Sequence, residues 1–109
     1  MYILISTYTR PIDEVNAQLD HHRAWLARHY ETGRVLVSGR RNPTTGGVIV
    51  LRADSREQVD ELLADDPYTQ HGLVDYEIVA FDETPFPHRS AGFDAFAAQP
   101  ISDAAAPAA

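Results

Sequence analysis

His22 is the side chain in this sequence with the clearest capacity for chemistry. Val15, Leu19, His22, Leu26 and His29 recur at steps of four, three, four and three residues, so a helix would carry them on one face. An imidazole in that row projects between its helix and the neighbouring layer, or into a cavity beside them. Standing alone, such a histidine is ordinarily a core residue bonded to a backbone carbonyl. Asp66 alters that balance. It lies seven residues after Val59, which gives it the inward bearing of Val59 and Leu63 if their helix reaches it, just before Pro67 interrupts the backbone. An inward carboxylate is costly unless paired, although Asp-Pro is also common in turns, where the carboxylate accepts nearby backbone N–H groups. Paired with His22, Asp66 would hold the imidazole in one tautomer and leave its other nitrogen to take or give a proton. That is a candidate catalytic acid–base dyad.

Other groups add less. Ser38 and Gly39 end a strand-like run, where the glycine would let a ligand approach the backbone and the serine could donate to a ligand oxygen. Arg40 and Arg41 follow, and in an acidic chain they could draw in a carboxylate-bearing ligand, though solvation alone would explain them. Ser38, Gly39 and Arg40 are therefore the candidate substrate-binding residues. There are five histidines, but no His-Glu-x-x-His spacing, and His21 points about 100° around the helix from His22, so no metal site is expected. His29 could line the same space as His22, while His71 and His88 fall in loop and tail. No nucleophile elbow, phosphate loop or dinucleotide fingerprint is present, so no cofactor is expected and proton transfer is the chemistry left.

These residues need a scaffold. The chain has 109 residues, enough for one core. Its formal net charge is −7, with nine arginines and no lysine, which disfavours nucleic acid as a partner. The absence of cysteine suits a reducing compartment. With neither a signal-peptide pattern nor an apolar run near the roughly 20 residues of a membrane span, the expectation is a cytoplasmic protein with no membrane contact.

Tyr2–Tyr8 reads as a strand, and Ile12 to Glu31 as one amphipathic helix ended at Gly33. Arg34–Gly39 and Gly47–Arg52 read as a hairpin joined by a loop containing Pro43 and Gly46. A second helix starts at Asp54-Ser55 and runs to about Ala64, with Val59, Leu62 and Leu63 inward. Leu73–Phe81 is the fourth strand. This βαββαβ order gives an α+β, ferredoxin-like fold: a four-stranded antiparallel sheet with two helices on one face, over residues 1–83. The sheet's other face is also apolar, which predicts a homodimer packed sheet to sheet or edge to edge. Residues 84–109 form a proline- and alanine-rich extension, expected to dock to about Phe96 through Phe86, Phe93 and Phe96 and to be mobile beyond.

Five stretches together resemble a known family: His22-Arg-Ala-Trp-Leu26, Gly33-Arg-Val-Leu-Val-Ser-Gly39, Gly46-Gly-Val-Ile-Val50, Asp65-Asp-Pro-Tyr68 and Gly72-Leu73. In order and spacing they are similar to the YciI-like, or YCII-related, domain. The resemblance implies a ferredoxin-like dimeric α/β-barrel type of fold, related to muconolactone isomerase, with a site centred on a histidine and an aspartate. By motif these are His22 and Asp66. Most such proteins have no assigned reaction, one branch eliminates chloride from a chlorinated hydroxyhydroquinone, and others accompany regulators. The sequence departs from the pattern at Arg40, where a proline often stands, and at His71, where a small residue often stands.

The leading expectation is thus a cofactor-independent lyase, isomerase or hydrolase-type enzyme acting on a small-molecule ligand through His22 and Asp66. The alternative is a non-catalytic small-molecule-binding or regulatory dimerisation module. A third reading, from the wider dimeric α/β-barrel group, is a cofactorless monooxygenase of activated aromatic rings.

Overall fold

The computed structural model describes residues 1–84 and 88–102. β-Branched and aromatic residues form β1 (Tyr2–Tyr8), flanked by β3 (Gly47–Leu51) and β4 (Val74–Ala80), with β2 (Val35–Arg40) outside β3. All pairs in the resulting order β2-β3-β1-β4 are antiparallel. Leu4 stands opposite Ile49 and Ile78, and Ile3 opposite Val50 and Val79. Successive side chains point to opposite faces of a sheet, so two apolar rows cross it. The Leu4 row is buried beneath helices, where Leu4, Trp25, Val35, Ile49, Leu51, Val59 and Leu63 form the main core. The Ile3 row lies on the helix-free face, where Val37 and Val79 are 53% and 38% exposed. This is the expected α+β, ferredoxin-like arrangement.

The long helix differs from its expected form. It is two helices, α1 (Ile12–Ala17) and α2 (Leu19–Glu31), separated at Gln18. Gln18 has φ −107° and ψ 4°, and its N–H closes a tighter turn onto the Val15 carbonyl at 3.0 Å. The break lets the two segments serve different clusters. Val15 packs with Tyr68 and Leu73, while α2 delivers Trp25 to the main core. Trp25 is three residues after His22 and adds to the predicted stripe a large side chain that the periodicity had not singled out.

α3 (Arg56–Ala64) starts as its capping residues predict. Ser55 Oγ accepts from Gln58 N at 3.2 Å, and Gln58 Oε1 accepts from Asp54 N at 2.7 Å. Val59 and Leu63 are buried and Leu62 is half-buried. A further short helix, α4 (Pro67–Gln70), occupies what reads in sequence as a turn.

In the C-terminal extension, Ser90 caps α5 (Ala91–Ala98), and Phe96 is 9% exposed. Arg52 holds this helix from below. It donates to the carbonyls of Gly33, Ala97 and Gln99 at 2.9, 2.9 and 2.5 Å, and its guanidinium lies 4.7 Å from the Phe96 ring centroid. Ser102 N then bonds Thr32 O at 3.0 Å, so attachment reaches past Phe96. Phe86, and the end of the tail expected to be mobile, fall outside the described residues.

Candidate active site

α2 carries His22 over the sheet, and Asp66 meets it from the other crossover. Sequence periodicity expects Asp66 at the end of α3, but α3 stops at Ala64. Asp66 is instead the N-cap of α4, in extended conformation, with Pro67 at the first helical position. The inward bearing is as expected, reached by a different local geometry. Both readings of this residue are therefore satisfied at once. Asp66 Oδ1 accepts from the Tyr68 backbone N–H at 3.1 Å and lies 2.7 Å from His22 Nδ1.

Asp66 is 0% exposed, so its oxygens must find donors inside the protein. Its second oxygen, Oδ2, accepts from the Tyr76 hydroxyl at 2.5 Å. β4 supplies that hydroxyl from an inward position of its alternating pattern. A carboxylate offers no proton, so His22 Nδ1 is the donor in its contact with Oδ1, and Nε2 is the nitrogen left for a ligand. Tyr68 fixes the ring plane by stacking on the imidazole, with centroids 3.9 Å apart and planes within 4°. Trp25 abuts the imidazole at 5.5 Å and is itself anchored by Nε1–H to Leu62 O at 3.2 Å. The ring is thus held by a charge-assisted bond at one nitrogen and by aromatic walls.

The environment acts on the phenols as well. Burial, reinforced by Tyr8, raises the Tyr68 hydroxyl from 10.0 to about 12, with Arg40 and Arg23 pulling in the opposite direction and Asp66 adding to the rise. Tyr76 is raised further, first by burial and then by the charge and the hydrogen bond of Asp66. Both phenols are therefore neutral donors at physiological pH.

His22 opens on a cavity of about 280 Å³ between α2, the sheet and α4. Its walls include Leu19 and Leu26 from α2, Ile49 from β3, and the phenols Tyr8, Tyr68 and Tyr76. All three candidate substrate-binding residues, Ser38, Gly39 and Arg40, line it too. Ser38 Oγ lies 2.6 Å from Tyr30 OH. At Gly39 an added Cβ would meet no atom within 4 Å, so packing within the chain does not demand glycine there. Arg41 turns away and donates to Ser6 O at 3.3 Å and Thr7 Oγ1 at 3.0 Å, tying the hairpin to β1.

Sequence reasoning missed Arg23, Ser6 and Tyr8 in the lining, and did not single out Tyr76. Tyr76 left a signal, a hydroxyl at an inward strand position. Arg23 left none, because it stands one residue from His22 and so off the apolar stripe. His29 packs edge-on against Trp25 at 5.2 Å and is not part of the lining, while His71 Nδ1 bonds Pro67 O at 2.9 Å on the surface. No cluster of three metal-ligating side chains occurs among the described residues, and no described helix is long and apolar enough to cross a membrane.

The YCII-related domain model matches residues 1–82. The chain belongs to the YCII-related domain family. Its solved relatives include a 5-chloro-2-hydroxyhydroquinone dehydrochlorinase from Burkholderia phenoliruptrix AC1100, in complex with 2,5-dihydroxybenzoquinone. That structure is 22% identical, covers 77% of this chain and 96% of its own, and superimposes with a TM-score of 0.59. At this identity the likeness establishes a shared fold. No curated protein matches the chain.

Proposed function

We infer that this YCII-related protein is a cofactor-independent enzyme of small molecules, of lyase, isomerase or hydrolase type, with His22 as general acid–base and Asp66 as its orienting partner. The carrying observation is the 2.7 Å contact from His22 Nδ1 to the buried Asp66 carboxylate, made by a ring that borders an open cavity. A structural histidine packed shut and bonded to backbone would look different. In the proposed cycle, Nε2 takes a proton from a carbon or oxygen acid of the ligand. Asp66 offsets the charge then carried by the imidazolium. In an isomerisation the same proton returns to another ligand atom. In an elimination the carbon–leaving-group bond breaks, the leaving group departs with its electron pair and the proton passes to solvent. In a hydrolysis the proton taken is that of an attacking water and is given to the departing group, so no cofactor enters the balance. Tyr76 keeps the Asp66 carboxylate in place, and Tyr68 keeps the ring in plane.

The related dehydrochlorinase supports an oxygenated ring as the ligand type, and a chlorinated hydroxyhydroquinone with chloride release is the first assay. A wider set of enolisable ring compounds, followed by solvent-deuterium incorporation, covers isomerase chemistry. His22→Ala and Asp66→Asn are each expected to lower turnover by at least about a hundredfold while circular dichroism stays that of the unaltered protein. Full activity in both variants overturns the reading. The functional unit proposed is a homodimer formed across the helix-free sheet face, where Ile3, Ile5, Val37, Val48, Val50 and Val79 share one side by register.

A further inference from the structure

We propose that Arg23 and Arg40 form an anion clamp at the cavity, and that the ligand is a single-ring aromatic or enolic compound bearing a carboxylate. This rests on the cavity being the ligand site, as in the reading above, but not on the dyad being catalytic. The chain has nine arginines, and six of them have partners within the protein. Arg10, Arg56 and Arg89 pair with Glu14, Asp60 and Asp94, and Arg34, Arg41 and Arg52 donate to carbonyl, amide or hydroxyl oxygens. Among the described residues, Arg23, Arg28 and Arg40 carry no such bond. Two of those three line the same cavity.

They reach it from different elements. Arg23 comes from α2 and Arg40 from the end of β2. Both line the cavity together with His22 and with Tyr68, the ring stacked on the imidazole, and both guanidiniums act on the Tyr68 hydroxyl in the sense that favours its anion. In a chain of net charge −7, with carboxylates abundant, two cations left unpaired beside a cavity are groups available to an external anion. Arginine presents a planar fork of donors that matches a carboxylate.

The remaining lining defines the rest of the ligand. A volume of about 280 Å³ is at the lower limit for ligand sites and fits one ring. Leu19, Leu26 and Ile49 offer apolar walls for that ring, and the neutral phenols of Tyr68 and Tyr76 mark its polar end beside His22. A carboxylate held between Arg23 and Arg40 would leave the opposite part of the ring to face the imidazole.

Calorimetric titration with salicylate and its neutral amide, salicylamide, tests the clamp without any assay of turnover. The expected result is at least about tenfold tighter binding of salicylate. Arg23→Gln and Arg40→Gln should each remove most of that preference and leave salicylamide binding unchanged. Equal affinity for the two probes, absence of salicylate binding at millimolar concentration, or a preference that survives in the Arg23→Gln/Arg40→Gln double variant overturns the proposal. A clamp that fails while His22→Ala and Asp66→Asn still abolish turnover leaves the dyad reading intact. A clamp that holds while both dyad variants stay fully active overturns the dyad alone.

Discussion

At the scale of single residues, the structure concentrates its polar chemistry on one buried carboxylate. Asp66 is fully buried and receives three donors, from His22, the Tyr68 backbone and Tyr76. Removing one donor to a buried charge is expensive. Tyr76→Phe is expected to cost about 1.5–3 kcal/mol, the range for hydrogen bonds to charged groups, measured as a lower urea midpoint at unchanged slope. The same phenols set an alkaline limit. Tyr68 is raised from 10.0 to about 12 and Tyr76 further, so above pH 10 the unfolded chain releases protons that the folded one retains. Stability is then fully present below about pH 10 and falls as pH rises toward and past 12. Urea midpoints followed through that window should fall, and in Tyr76→Phe the fall should be shallower by about one proton per molecule. An equally steep decline in that variant would mean that Tyr76 does not contribute.

At the scale of elements, the site depends on two helix interruptions. Gln18 divides α1 from α2, and Asp65-Asp66 divides α3 from α4. The spacing Val15-Leu19-His22-Leu26 indicated a helix and its inward face, and the capping residues Ser55 and Gln58 indicated where α3 begins. It did not indicate the division at Gln18, which follows from packing: Val15 and Trp25 serve different clusters. The hairpin is equally constrained. A Cβ on Gly46 would lie 1.8 Å from the Ser6 carbonyl oxygen, a backbone atom that has nowhere to move. Gly46→Ala is therefore expected to cost about 1–3 kcal/mol, as overpacked sites do, and to push the β2–β3 loop off β1. Since Gly46, Gly47 and Ser6 line the cavity, ligand affinity should drop along with the thermal midpoint. A wild-type midpoint would show that the hairpin accommodates the methyl without strain.

At the scale of the whole molecule, two helices and their extensions cover one sheet face and leave the other apolar. The proposed dimer accounts for that exposure. Sedimentation at micromolar concentration should give twice the monomer mass, and Val50→Glu, placed opposite both Ile3 and Val37, should give a folded monomer. A monomeric unaltered protein overturns the dimer. The apolar alternation on β1 made this face visible in the sequence, because each strand residue commits its neighbours to the opposite side.

Local patterns in the chain were enough to determine the βαββαβ order and the inward bearing of His22, whereas the inward position of Asp66 was expected from a helix that stops at Ala64 and is supplied instead by the start of α4. Period and capping are properties of short stretches, and they survive without knowledge of the rest. Only the tertiary structure decided that His22 and Asp66, 44 residues apart, meet at 2.7 Å, that Tyr76 completes the carboxylate's bonds, and that Arg23 rather than Arg41 joins Arg40 at the cavity. Those outcomes depend on where α4 begins and how the hairpin crosses β1. Distances between elements are set by the packing of the whole core, which no local spacing encodes.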